Sequence, residues 1–200
     1  MDVEVKFDHE SYMLFHSEYI AMNKKEIISL CDASKVKISN LRLGDNNIID
    51  NNANLLTSKF TDEYLNYNIF SVFGPNKLSQ NVFCQIKSAI RVYCDRKKIY
   101  SDGLFIQAWM NHHNESEVLD WHSHEGYICH GYVSIEPKVS ITEFMDFNII
   151  NKIGQIYIGE CELKHRVVCL DSEGGNRITI GFDVIGCIDV EVENMGFIPL

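Results

Sequence analysis

The spacing of apolar positions changes character near residue 103: before it the period is helical where it is regular at all, and after it side chains alternate. The clearest helical stretch follows the punctuation Gly74-Pro75-Asn76, with Leu78, Val82, Ile86, Ala89, Ile90 and Tyr93 on one stripe. Arg91, Arg96, Lys97 and Lys98 gather toward its C-terminal end, where cations complement the helix dipole. The pattern predicts a helix packed on a sheet, not a basic grip for nucleic acid. A looser helical pattern over 18–31 puts Ile20, Lys24, Ile27, Ile28 and Cys31 roughly on one face. The asparagine-rich segment 45–54 predicts turns. Tyr64, Tyr67, Phe70 and Phe73, within 61–73, fit either a helix or a strand lining a pocket.

Beyond Gly103 the alternation predicts strands. Over 104–111, Phe105, Gln107, Trp109 and Asn111 share one face. A second strand is expected over 127–135, closed by Glu136-Pro137, with shorter ones over 138–147 and 154–159. Residues 165–170 follow, then a turn through Asp171-Ser172-Glu173-Gly174-Gly175-Asn176. The strand over 177–184 sets Arg177, Thr179, Gly181 and Asp183 against Ile178, Ile180, Phe182 and Val184 on its other side. Residues 187–192 are a candidate edge strand. Helices first and many short strands afterwards predict an α+β, mainly β chain: a jelly roll buttressed by N-terminal helices. The 200 residues suffice for one domain with a buried core, and neither a fixed-period repeat nor a long linker divides them. The expected division is a helical or irregular support over 1–100 and the β core over 101–192. Residues 1–75 match no motif and are where a substrate lid or dimer contact is expected.

Composition narrows the function class. A net charge of -10 disfavours general affinity for nucleic acid, which needs basic surface to displace counterions. Seven cysteines, an odd number with no CxxC pair and several inside apolar runs, read as reduced, mostly buried thiols. The start Met1-Asp2-Val3-Glu4-Val5 lacks the basic and apolar regions of a secretion signal, and no apolar run approaches spanning length. The expectation is a cytoplasmic protein without a membrane segment (host cytoplasm if phage-encoded).

The candidate chemistry begins at Asp120-Trp121-His122-Ser123-His124-Glu125-Gly126. In extended backbone, residues two apart project to the same side, so His122 and His124 can grip one ion. His165, also at a strand start beside a turn, is the third candidate, because such edges assemble barrel-mouth sites. His9, His16, His112 and His113 are read as surface or core residues, and His130, within a strand, as a satisfied core histidine. Arg177 faces the same way as Thr179 on a strand otherwise rich in Ile, Phe and Val, where an unpaired guanidinium is costly. Either a structural Asp or Glu partner or a carboxylate ligand would resolve that cost. In the second case Thr179 adds a hydrogen bond and Gly181 leaves room.

Taken in order, His122-Ser123-His124, His165 and Arg177-Ile178-Thr179 resemble the iron(II)- and 2-oxoglutarate-dependent oxygenase superfamily, over about residues 104–184. His122-Ser123-His124 followed by Gly131-Tyr132-Val133 looks most like a small phage and bacterial His-x-His branch, prolyl-hydroxylase-like. Gly154-Gln155-Ile156-Tyr157-Ile158 likewise resembles the strand before the distal histidine. The resemblance implies a double-stranded β-helix (cupin-like) core, with Fe(II) on His122, His124 and His165. It also implies 2-oxoglutarate on Arg177 and Thr179, dioxygen as oxidant, and hydroxylation of a small molecule or a protein side chain. One position departs from the superfamily: His124 stands where a carboxylate is usual. Asp120 or Glu125 are the alternatives, as ligand or as partner to an imidazole N–H, and imidazole also suits Zn, Cu and Ni. Trp109, Asn111, Trp121 and Tyr132 are candidate pocket walls.

Two other readings compete. A cupin-like metal protein that does not use 2-oxoglutarate would want a glutamate a few residues past His124, where Ile128 and Cys129 stand, and leaves Arg177 unexplained. A non-catalytic jelly roll would make the histidines packing residues. Within the oxygenases the alkylation-repair type is disfavoured, because Asp183 lies where that type carries a second arginine.

Overall fold

Alternation in the second half of the chain resolves into two facing antiparallel sheets. The computed structural model describes residues 3–42, 67–113, 119–170, 176–186 and 196–200. The expected turns over 45–54, Tyr64 and the expected edge strand over 187–192 lie outside them.

In chain order the strands are β1 (Glu4–Asp8), β2 (Tyr12–His16), β3 (Leu104–His113), β4 (Leu119–His122), β5 (Cys129–Glu136) and β6 (Ser140–Phe144). They continue with β7 (Asn148–Ile150), β8 (Gln155–Gly159), β9 (His165–Cys169), β10 (Arg177–Gly186) and β11 (Phe197–Pro199). The larger sheet has the order β1-β2-β8-β5-β10-β3-β11 and the smaller β4-β9-β6-β7. From β3 to β10 the chain passes back and forth between the sheets, so β8-β5-β10-β3 faces β4-β9-β6-β7. That is a double-stranded β-helix, the jelly-roll architecture, flanked by α1 (Glu18–Met22), α2 (Lys24–Arg42), α3 (Ile69–Phe73) and α4 (Lys77–Lys97). Among the described residues no helix is long and apolar enough to cross a membrane.

The helices form where the sequence supplies both a stripe and a cap. Asn76 accepts the Ser79 N–H at 2.9 Å to open α4, and Lys98, left-handed at φ 58°, closes it. The stripe then buries Val82, Ile86, Ala89, Ile90 and Tyr93 in one cluster with Ile156, Ile158, Ile180, Phe182 and Val184 from the outer face of the larger sheet. Each such aliphatic side chain contributes about 1.5–3 kcal/mol on burial. Because one face of β10 is anchored this way, its alternate residues are committed to the space between the sheets.

Three features differ from the sequence pattern. β1 and β2 pair as a hairpin and extend the larger sheet through β8, although residues 1–100 read as helical or irregular. β1 is exposed along its whole length, so it carries no buried alternation for a sequence pattern to register. The single strand expected over 138–147 is a hairpin, β6 and β7, turning at Met145-Asp146. The helix expected over 18–31 breaks at Asn23, whose side-chain amide donates to the Tyr19 carbonyl at 2.7 Å, and α2 then runs on to Arg42. The described part of 61–73 is the short helix α3. Cys31, Cys94, Cys129 and Cys161 are buried free thiols, as their apolar settings imply.

Gly131 on β5 shows how little room the flanking strands β8 and β10 leave within the larger sheet. A Cβ there would collide with the Tyr157 backbone carbonyl and the Phe182 ring. Gly131→Ala is expected to destabilise the fold by about 1–3 kcal/mol through overpacking, measured as a lower urea midpoint with an unchanged m-value.

Candidate metal centre

His122 ends β4 and His165 opens β9, and the two are register partners across the smaller sheet, with ring centroids 4.2 Å apart. His124 lies in the turn beyond β4, held there by its backbone N–H donating to the Cys161 carbonyl at 2.9 Å. One ring nitrogen from each of His122, His124 and His165 lies within 4.8 Å of the others. Neither Asp120 nor Glu125 belongs to that cluster: Asp120 caps the Trp121 N–H at 2.7 Å, and Glu125 is an exposed residue of the cavity wall.

The hydrogen bonds also say which nitrogens are free. His122 Nδ1 lies 2.7 Å from the Asp120 carbonyl and His165 Nδ1 2.9 Å from the Leu163 carbonyl. A carbonyl only accepts, so each Nδ1 carries the proton and each Nε2 keeps its lone pair. His124 Nδ1 lies 2.9 Å from Asp183 Oδ1. Burial lowers the pKa of His122, and that of His165 to about 3, favouring the neutral, ligating form. His122 and His165, neutral with Nε2 lone pairs free, together with His124 beside them suit a first-row divalent metal.

Asp183 was legible only as a member of the Arg177 face. The structure puts its fully buried carboxylate behind His124. His124 Nδ1 is within ion-pair reach of Asp183 Oδ1, and among the described residues no other side chain pairs with either Asp183 oxygen. Burial raises the Asp183 pKa and His124 lowers it.

A cavity of about 400 Å³ runs from the three imidazoles between the sheets to Arg177 and Thr179, with Trp109, Asn111, Tyr132 and Gly181 along it. Arg177 is 2% exposed, and among the described residues no carboxylate pairs with it. Its contacts are neutral: Nε donates to Ser140 Oγ at 3.3 Å, and Nη1 to His113 Nδ1 at 3.4 Å and Thr179 Oγ1 at 3.5 Å. Thr179 Oγ1 accepts again from Asn111 Nδ2 at 3.3 Å, which leaves its own O–H to donate. Asn151, held by Tyr132 at 2.8 Å, donates to Ser140 and completes a network that fixes the guanidinium in place.

Other histidines and aromatics redistribute. His113 does not sit apart from the site: it touches Arg177, and burial, then Arg177, lowers its pKa to about 3. His130 is buried as expected, and its ring stacks on His124 at 4.6 Å and on His165 at 4.8 Å. Trp121 is not in the cavity wall; it lies under the Arg166 guanidinium, 5.1 Å from ring centre. Alternation was the signal for Asp183, in phase with Arg177. For His113 it was the two-residue step from Asn111.

No protein-family model matches the sequence, and no curated protein matches it. Among solved structures, the chain is similar to a 2OG-Fe(II) oxygenase family oxidoreductase from Burkholderia pseudomallei, at 11% identity and a TM-score of 0.42, over 54% of this chain and 58% of that one. It is also similar to a cupin-2 domain containing protein from Shewanella frigidimarina, at 14% identity and a TM-score of 0.31, over 38% of this chain and 68% of the other. Both overlaps are partial, and the jelly-roll assignment rests on the strand order.

The buried, neutral His113 makes folding acid-sensitive. Its folded pKa of about 3 lies below the unfolded value of about 6.5. Its contribution to stability is therefore fully present above about pH 6.5 and is lost as pH falls toward the folded pKa, by about 1.4 kcal/mol per pH unit. Urea unfolding of metal-free protein from pH 7 to pH 5 is expected to show a slope shallower by about one proton in His113→Gln than in the wild type.

Proposed function

We propose that the chain is an Fe(II)- and 2-oxoglutarate-dependent dioxygenase. In this reading it is a hydroxylase that converts 2-oxoglutarate, dioxygen and a substrate C–H into succinate, carbon dioxide and C–OH. The observation that carries the reading is Arg177, a buried guanidinium without a carboxylate partner among the described residues, in the same cavity as three inward-facing imidazole nitrogens. A buried charge of this kind calls for a counter-charge. The cavity offers room for a small dicarboxylate with one end on the guanidinium and the other toward the imidazoles.

In this reading His122, His124 and His165 hold iron(II) through Nε2, and bound iron supplies the redox chemistry that activates dioxygen. Arg177 takes the far carboxylate through charge-assisted bonds and Thr179 donates its free hydroxyl proton. Ser140, His113, Asn111 and Asn151 keep Arg177 from swinging away. Gly181 leaves the floor of the cavity open, because a Cβ there would press within 2.7 Å of the Trp109 indole. Trp109 and Tyr132 line the path between the two ends. The substrate would be a small molecule or a protein side chain, and the net charge of -10 argues against nucleic acid.

A second reading, a cupin-like metal protein that does not use 2-oxoglutarate, is favoured by the all-imidazole donor set. It leaves the buried guanidinium without a counter-charge among the described residues, and Arg177 separates the two. Arg177→Gln is expected to weaken 2-oxoglutarate binding at least about 100-fold, the loss of roughly 3 kcal/mol of charge-assisted hydrogen bonding, while Fe(II) still binds. Anaerobic Fe(II) with 2-oxoglutarate should give a weak visible charge-transfer band in the wild type and none in the variant. Succinate production at wild-type rate by Arg177→Gln would contradict the proposal.

A further inference from the structure

The donor set as described has no carboxylate. A divalent ion on three neutral imidazoles keeps its full double charge inside a largely buried cavity, beside a buried guanidinium at the other end. A second cost is just as plain: Asp183 is 0% exposed, and among the described residues no side chain other than His124 pairs with its oxygens. A buried carboxylate in that state is expensive unless a positive charge lies close by. Arg177 is not that charge. The two share a face of β10, but they sit six positions apart, about 20 Å along the strand, with Gly181 and Thr179 between them. What does lie close is His124, with Nδ1 at 2.9 Å from Asp183 Oδ1.

We propose that Asp183 is the carboxylate of the metal centre, acting from behind His124 rather than as a ligand. It would fix His124 in the tautomer that turns Nε2 inward, and it would supply the negative charge that the three-imidazole set lacks. This rests on the reading of His122, His124 and His165 as metal ligands. The position in the fold is apt. Register pairs Asp183 with Gln107 on β3 and with His130 on β5, so it lies in the interior layer beneath the imidazoles. The ring of His130 stacks on both His124 and His165, which keeps the His124 ring in place above the carboxylate. Metal binding at Nε2 acidifies the opposite N–H and strengthens its attraction to the carboxylate 2.9 Å away. Asp183 is thus a positioning residue: it touches neither metal nor cosubstrate.

The test uses Co(II) alone, titrated into metal-free wild type and Asp183→Asn, with affinity and visible d–d spectrum as readouts and urea unfolding of the metal-free proteins alongside. The expected result is a dissociation constant 10- to 100-fold higher in Asp183→Asn, shifted d–d bands, and a metal-free stability equal to or above wild type. Should Asp183→Asn fail to fold, Asp183→Ser, which also removes the charge, gives the same comparison. Wild-type affinity and wild-type bands in the variant would overturn the assignment while leaving the three-histidine site standing. A loss of metal-free stability with unchanged affinity in the folded protein would make Asp183 merely structural and overturn it as well. Failure of the wild type to take up Co(II) would remove the metal reading itself.

Discussion

Two opposite charges are buried on one face of one strand and kept from meeting. Arg177 and Asp183 both point between the sheets from β10, at 2% and 0% exposure, with Thr179 and Gly181 separating them. Had they been adjacent they would have satisfied each other, and the interior would be an ordinary buried ion pair. Held apart, Arg177 leaves a demand for an anion at one end of the cavity, and Asp183, behind His124, favours a cation at the other. Three imidazoles stand at the cation end and a free hydroxyl proton at the anion end.

The rest of the fold keeps the polarity from collapsing. β10 is central in the larger sheet, paired on both sides along most of its length, and its opposite face is committed to the helices through Ile178, Ile180, Phe182 and Val184. A register slip of one residue would turn Arg177 and Asp183 into the apolar layer against α4 and expose four large apolar side chains to the cavity. The packing of α4 on the sheet, remote from any reacting atom, therefore holds the charge placement. The smaller sheet contributes two of the three imidazoles directly through the β4–β9 pairing, and the third from the turn that follows β4.

What could be read in the sequence follows the same physics. Strands buried on both faces, β3, β5 and β10, declared themselves through alternation. So did the cavity face of β10, and His122 and His124 of the His-x-His turn stand with ring centroids 5.2 Å apart. β1 was invisible because an exposed strand needs no alternation, and the β6–β7 hairpin because a turn as ordinary as Met145-Asp146 lacks Gly or Pro. Asp183 sat in phase with Arg177 in plain view, yet its contact with His124 joins residues 59 positions apart, which local pattern does not encode. The same holds for His113, whose tie to Arg177 depends on the β3–β10 register. Trp121 was assigned to the cavity on residue type alone, and Arg166 on the neighbouring strand claims it instead.

If the cavity is built for a cation and a dicarboxylate together, the two must bind with positive coupling, because each relieves the field of the other. Calorimetric titration of 2-oxoglutarate into metal-free and Co(II)-loaded protein measures that coupling directly. The account predicts an affinity at least about tenfold higher with metal present, a coupling of roughly 1.4 kcal/mol or more. Equal affinity with and without metal, or no binding in either state, would contradict it.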